Sequence, residues 1–408
     1  MRISTNTIFD NGVGQLGTLQ SNMAKLQLQM PTNKRVVTPS DDPVASARAL
    51  EVTQSQSINT QLATNRSNAR SSLSQEEVTL DGVTDLLQQV QSLVVTAGNA
   101  SFGDSDRASL ATKLQGSLND LLGLANTADG NGGYVFSGYK SATQPFNLTA
   151  TGAQYDGDQG QRAVQVGSNR SVPVSDSGSA VFENNPTGNG SFQTVASTKN
   201  TGAGIISSGT VTDVTKLTGH SYSLAFKVST DTPPLTTYTV NDNSTNPATA
   251  VQADQPYVDG QTISFDGMSM NVKGVPANGD SFSVAPSQKQ SVFATITNLI
   301  ATLKAGATGS AGKAALTNGL NQANDNLKNA LYTVLTVRSD IGSRMNELDS
   351  LDSTGSDLNI QYASTLSDLT DLDLVAAYSS FSQQQLTLTA AQKSFTTMSG
   401  LSLFNYIS

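Results

Sequence analysis

Apolar residues in the first segment fall at Leu16, Leu19, Met23, Leu26 and Met30. These alternating steps of three and four predict a helix with a narrow coiled-coil seam, one face of which wants a partner. Residues 44–97 hold no proline and a single glycine, Gly82, so they predict one continuous helix. At 1.5 Å per residue it would run for roughly 80 Å. Its first half is weakly patterned, with Gln56, Asn59 and Arg66 in the seam register, and the seam resumes through Leu80, Val83, Leu87, Val90 and Val94. After the turn "GNASFGDSD", Leu110, Leu114, Leu118, Leu121 and Ala125 mark a third helix returning antiparallel.

The other end of the chain mirrors this layout. Leu316, Leu320, Ala323, Leu327, Ala330, Val334, Val337 and Ile341 keep the same alternation for more than three heptads, the strongest helical signal in the chain. Leu374, Ala377, Phe381, Leu388, Ala391, Phe395 and Met398 form a last seam, with Gln384 its one polar member. A single apolar stripe cannot be buried within its own helix. Both chain ends carry such stripes, so they are expected to pack on each other, with the middle of the chain emerging as an insertion.

That middle, from about 134 to 286, is rich in glycine, serine, threonine and asparagine and alternates with period two. In "SYSLAFKV", Tyr222, Leu224, Phe226 and Val228 face one way, as in a half-buried strand. In "TISFDGMSMNV", Asp266-Gly267 separates Ile263/Phe265 from Met268/Met270 and predicts a two-residue hairpin with a type I′ turn. The fold class that follows is α+β multidomain: a long α-helical, coiled-coil-like bundle formed by both chain ends, with an inserted central β-rich domain. Expected bodies are 1–42 with 366–408 (terminal helices), 43–145 with 287–365 (helical bundle) and 146–286 (β-rich insertion).

Composition narrows the function classes. With 408 residues and a net charge of -9, the chain is long enough for two or three domains and a poor partner for phosphate backbones or anionic membranes. Cysteine is absent, which excludes disulfides, Cys-ligated metals and thiol catalysis. No apolar run approaches a membrane span, and "MRISTNTIFDNGVG" lacks a secretory signal pattern, so export is expected to use another route.

The candidate chemistry reads as structural. Asp41 and Asp42 lie between Pro39 and Pro43 in "TPSDDPVASARAL". Ser40, Asp41 or Asp42 can accept from an early helix N–H and Pro43 suits the first turn, so Ser40, Asp41, Asp42 and Pro43 mark a helix start, not a catalytic dyad. His220, the only histidine, sits among glycine and serine as a solvated turn residue. "YDGDQGQ" opens like a calcium loop at Asp156 and Asp158, but Gly160 and Gly167 stand where ligands are needed. "DGNGGYVFSG" follows a helix and precedes a strand, the reverse of a phosphate-cradling order. The acids of "SDLTDLDLV" read as a solvated helix face. No catalytic, cofactor or metal site emerges.

Taken in order, several motifs resemble the bacterial flagellin superfamily, and within it the hook-associated branch. "MRIST" is similar to the family's opening. "NKRVVTPSDDPVASARAL" resembles its signature of a basic pair leading to a Ser-Asp-Asp-Pro helix start. "YVFSGYKSATQPF", "YDGDQG" and "GVPANGDSFSV" look like its junctions between helices and β domain, and "LSLFNYIS" is close to its usual terminus. Where the family usually has a Ser-Gly turn before the basic pair, this chain has "MPTNKR", so its first helix is expected to end differently at Pro31. Flagellin itself usually reads Asp-Asp-Ala-Ala-Gly where this chain has Pro43.

The resemblance implies a self-assembling structural adaptor at the hook-filament junction, with no enzymatic activity. Its implied partners are further copies of itself, hook-associated protein 1, flagellin, a flagellar export chaperone and the type III export apparatus. The expected assembly interface is Leu16, Leu19, Met23, Leu26, Phe381, Leu388, Phe395, Leu401, Leu403 and Phe404. Other readings are a minor flagellin-like filament subunit, a secreted adhesin, or a polysaccharide-acting enzyme using a pair among Asp254, Asp259, Asp266 and Asp280.

Overall fold

The computed structural model describes residues 5–400. Its α-helices are α1 (Thr5–Thr32), α2 (Pro43–Ala97), α3 (Asp104–Ala125), α4 (Val292–Lys304), α5 (Gly309–Thr370) and α6 (Leu374–Gly400), with all the strands between α3 and α4. The helix ends follow from local chemistry. α1 runs one residue past Pro31. It closes in a Schellman motif, with Asn33 at φ 52°, its N–H on the Met30 carbonyl and the Lys34 N–H on the Gln29 carbonyl. At the start of α3 the Asp106 carboxylate accepts the Gly103 N–H at 2.9 Å, and the Ser291 hydroxyl caps α4 by accepting from Phe293. Among the described residues no helix is long and apolar enough to cross a membrane.

The chain divides into two compact units, residues 1–65 with 349–408 and residues 66–348. The division falls inside α2 and α5. In the first unit, the polar entries of the α2 seam are used rather than wasted: buried Asn59 donates to the Gly355 carbonyl (2.7 Å) and to Asn359 Oδ1 (2.9 Å), which ties α2 to α5 beyond the helix start.

In the second unit the long seams are covered at nearly every position, Val337 being half-buried. Leu80, Val83, Leu87 and Val90 of α2, Leu114 and Leu121 of α3, and Leu327, Ala330, Val334 and Ile341 of α5 are buried. An aromatic cluster ties the first hairpin, Phe146–Thr149 with Gly152–Tyr155, to α4: Phe146 lies 5.0 Å from Phe293 and 5.4 Å from Phe182, ring centroid to centroid. Such tilted and edge-on pairs add to their area burial.

Residues 192–286 form a body with a core of their own. A five-stranded sheet has the spatial order Thr249–Pro256, Thr236–Asp242, Tyr222–Val228, Ser281–Pro286, Phe192–Ala196, and a second sheet is built on Met268–Lys273. Tyr222, Leu224 and Phe226 point inward with Val240, Ile263, Met270, Phe282 and Val284. Asp266 (φ 44°) and Gly267 (φ 76°) join the strands Thr262–Phe265 and Met268–Lys273, with Phe265 opposite Met268. Both positive φ values are those a type I′ turn requires. A Cβ at Gly267 would also lie 2.1 Å from the Asp213 carbonyl oxygen, so glycine is required there twice over.

Candidate assembly site

The connection from α1 to α2 is a clasp onto the connection from α5 to α6. Asp42 Oδ1 accepts the Ala45 N–H at 3.0 Å and so caps α2, while Oδ2 pairs with Arg35 at 3.0 Å. Asp41 accepts the Val37 and Thr38 N–H groups and pairs with Lys25 at 3.0 Å. These bonds, the Thr38 amide first, hold the Asp41 carboxyl down at about 2, and the Ala45 amide and Arg35 lower Asp42. Ser40 shares a hydroxyl contact of 2.8 Å with Thr38, and Pro43 is the first residue of α2. Arg35 donates from its backbone to the Thr370 carbonyl (2.7 Å) and from its guanidinium to Leu369 (2.7 Å). Lys34 reaches Asp371 at 2.6 Å, and the Leu372 N–H returns to Asn33. The basic pair of the signature therefore stitches the two chain ends together. The two aspartates bond backbone amides and the bases Lys25 and Arg35.

Beyond the clasp, α1 and α6 run antiparallel. Phe9 meets Phe395 at 4.9 Å, and a Cβ on Gly12 would touch the Phe395 ring at 3.0 Å, so Gly12 makes room for it. Leu16, Leu19, Met23 and Leu26 are half-buried, as are Phe381 and Phe395, and Leu388 is buried. These seam residues, expected at an interface between subunits, lie between α1 and α6 of one chain. Leu401, Leu403 and Phe404 lie outside the described residues. Closing the seam leaves a second row uncovered: Phe9, Val13 and Leu28 on α1, and Val375, Tyr378 and Leu386 on α6. The sequence reading followed one register per helix and passed over this row, whose signal is apolar residues off that register.

Of the carboxylates weighed for glycan chemistry, three accept hydrogen bonds within the β body. Asp280 is buried and accepts the N–H groups of Thr201, Gly202 and Ala277. Asp259 accepts from Gly274, Asp266 from the Tyr222 hydroxyl, and Asp254 stands at φ 44° in the outer strand. His220 pairs through Nδ1 with Asp242 at 2.7 Å. Asp156 accepts from Asn147 and Gln154, and Asp158 from the Tyr139, Lys140 and Gly160 amides, so the calcium-like loop is folded by its own acids. Among the described residues no cluster could hold a metal ion.

One ionic cluster has a buried centre. Glu76 of α2 has no exposed surface; its Oε1 accepts the Asp176 N–H at 3.0 Å and its Oε2 has no hydrogen-bond partner. Asp176 is held by Arg344 of α5 at 2.8 and 3.1 Å and by Gln161 at 2.6 Å. Burial, then the neighbouring Asp176 charge, pushes the Glu76 carboxyl up to about 8, so it is protonated at neutral pH.

The chain matches two family models: "Bacterial flagellin N-terminal helical region" over residues 3–141 and "Flagellar hook-associated protein 1, D2-like domain" over residues 195–286. The second covers the body with its own core. Flagellar hook-associated protein 3 of Escherichia coli (strain K12) is 32% identical over 405 residues, 99% of each chain. That of Salmonella typhimurium is 31% identical over the same length, with 99% coverage of each. Among solved structures, the hook-associated protein-3 of Legionella pneumophila aligns with a TM-score of 0.73 and 35% identity over 78% of this chain and 98% of that one. FlgL of Xanthomonas campestris aligns at 0.70 and 29%, covering 78% and 99%. With these similarities added to the paired terminal helices and the inserted β body, the chain, a structural component of the bacterial flagellum, belongs to the flagellar hook-associated protein 3 family.

Proposed function

We infer that this chain is the adaptor of the hook-filament junction, joining hook-associated protein 1 on the hook side to flagellin on the filament side. The observation that carries the reading is the uncovered apolar row on α1 and α6, which remains after their seams have closed on each other. A lone subunit leaves that row in water, and identical neighbours in a growing tube would cover it. At about 25 cal/mol per Å² of apolar area removed from water, a few hundred Å² per neighbour contributes several kcal/mol before ordering costs. Head-to-tail contacts between identical subunits close into rings or continue as helical filaments, which lets one lattice be handed to another. Leu16, Leu19, Met23, Leu26, Phe381, Leu388 and Phe395 shape the α1–α6 pair that presents the row, and Phe9, Val13, Leu28, Val375, Tyr378 and Leu386 are its contact residues. An export chaperone and the type III export apparatus are the further partners this role requires. Nothing in it calls for catalysis.

The test is deletion of the gene in the native bacterium, followed by electron microscopy and an assay of the medium for flagellin. Hooks without filaments, with flagellin shed into the medium, are expected. Hooks bearing normal filaments would overturn the junction role.

A further inference from the structure

The β body, residues 192–286, packs its apolar core apart from the helices. Its core cluster and the hydrophobic residues packed against that cluster all come from residues 192–284, and none from a helix. A row of amide and carboxylate side chains on α5 bonds its residues 204–208 and, just before it, residues 186–188 at the neck. Asn318 accepts the Ile206 N–H at 3.0 Å and donates to the Gly204 carbonyl at 3.0 Å. Asp325 accepts from the Ser208 hydroxyl. Asn326 accepts the Gly188 N–H at 2.9 Å, and Asn329 donates to the Pro186 and Gly188 carbonyls at 2.8 and 2.9 Å. The spacing 318, 325, 326, 329 puts all four on one face of the helix.

Two further features lie beside this row. The chain enters and leaves the β body through a two-stranded neck, Asn185–Pro186 against Lys289–Gln290, fastened by the Thr187 N–H on the Gln288 carbonyl at 2.9 Å. A cavity of about 320 Å³ lies between the body's Thr194–Ser208 side and α4–α5, lined largely by small residues such as Gly204, Ala311, Ala315 and Gly319. A polar seam exchanges its bonds for water at little net cost, whereas an apolar one does not. The cavity supplies the space and the neck the axis.

We propose that the Asn318/Asp325/Asn326/Asn329 row is a releasable latch, and that the β body swings about the 185–186/289–290 neck when the latch opens, without unfolding. The proposal rests on these contacts and not on the junction reading; a subunit between two unlike lattices would have a use for it.

Amide hydrogen exchange on the unaltered protein tests it first. The Ile206 and Gly188 amides, both bonded to the row, are expected to exchange together, with protection at least about tenfold below that of Leu224 in the body's core. Protection equal to that of Leu224 would overturn the latch, since it would then open only with the body. A second test uses the absence of native cysteine. Spin labels at Lys113→Cys on α3 and Ala248→Cys on the body, both exposed positions, are expected to give one narrow distance distribution. That distribution should broaden or shift in Asn318→Ala/Asn329→Ala, with the far-ultraviolet circular dichroism unchanged. A superimposable distribution in the folded variant would overturn the proposal.

Discussion

The seam of α5 from Leu316 to Ile341 and the seam of α1 from Leu16 to Met30 share one period, yet they end in different states. In α5, Leu327 and Ile341 have no exposed surface. In α1, each of Leu16, Leu19, Met23 and Leu26 stays half-exposed. A repeat of three and four fixes which face seeks a partner; the number of partners that face receives is decided by the rest of the chain. The α5 seam lies in a unit that also holds most of α2, all of α3 and α4, and the aromatic cluster. The α1 seam faces α6, and neither helix is surrounded. On the proposed function, the half-covered seam and the row beside it are what other subunits would complete.

The largest expected effect tests that contrast directly. Leu327→Ala opens a cavity in a covered seam and should cost about 3 kcal/mol, while Leu19→Ala in the half-covered seam should cost about 1 kcal/mol or less. Urea unfolding followed by circular dichroism reads both. Equal losses would mean that the two seams carry the same weight and that the contrast in exposure has no energetic content.

The interior cluster of the second unit gives the next effect. The folded Glu76 carboxyl sits at about 8 against an ordinary 4.5, so the folded state holds a proton that the unfolded chain releases. Stability is therefore full below the unfolded value and is lost as pH rises from 4.5 towards 8, by an amount of the order of a few kcal/mol. Glu76→Gln should flatten this slope. The measurement is the melting temperature of both proteins between pH 5 and 9, and identical slopes would remove Glu76 as the cause.

What the sequence made legible follows the same division. The seams, the unbroken run from 44 to 97 and the Asp266-Gly267 hairpin are local patterns, and local geometry honours them. The extent of α5 was not legible: it runs on through "DSTGSDLNIQYAS" to Thr370, a polar stretch whose helical state rests on the Asn59 bonds to Gly355 and Asn359. Glu76 was not legible either. In "SQEEVTL" it reads as a surface acid, and what makes it interior is a backbone amide 100 residues away. At the assembly site, the helix start at Ser40 to Pro43 was visible as capping chemistry. The pairing of Lys34 and Arg35 with Asp371 and Leu369 needs a chain reversal that spacing alone does not encode.

The clasp gives a smaller effect of opposite sign to Glu76. Asp41 and Asp42 are held below the ordinary 3.8. Their contribution is present above that value and is lost as pH falls through the folded one, about 2 for Asp41. Protection of the Thr38 and Ala45 amides should fall over that window and should be low at neutral pH in Asp41→Ala and Asp42→Ala respectively. Protection that persists in those variants would place the clasp's strength elsewhere.

The smallest effect on folding carries the largest on assembly. Val375 is 82% exposed and Leu386 73% exposed, so Val375→Asp with Leu386→Asp removes almost no intrachain packing and should change stability by about 0.5 kcal/mol or less. Leu388→Asp, one position inside the buried seam, should instead loosen the α1–α6 pair by placing an unpaired charge against α1. Both variants are expected to fail to restore filaments in the deletion strain, but for different reasons that thermal unfolding of the purified proteins separates. Filaments restored by the Val375/Leu386 variant would show that the uncovered row is ordinary surface, and the partner that completes the half-covered seam would then have to be sought on the seam residues themselves.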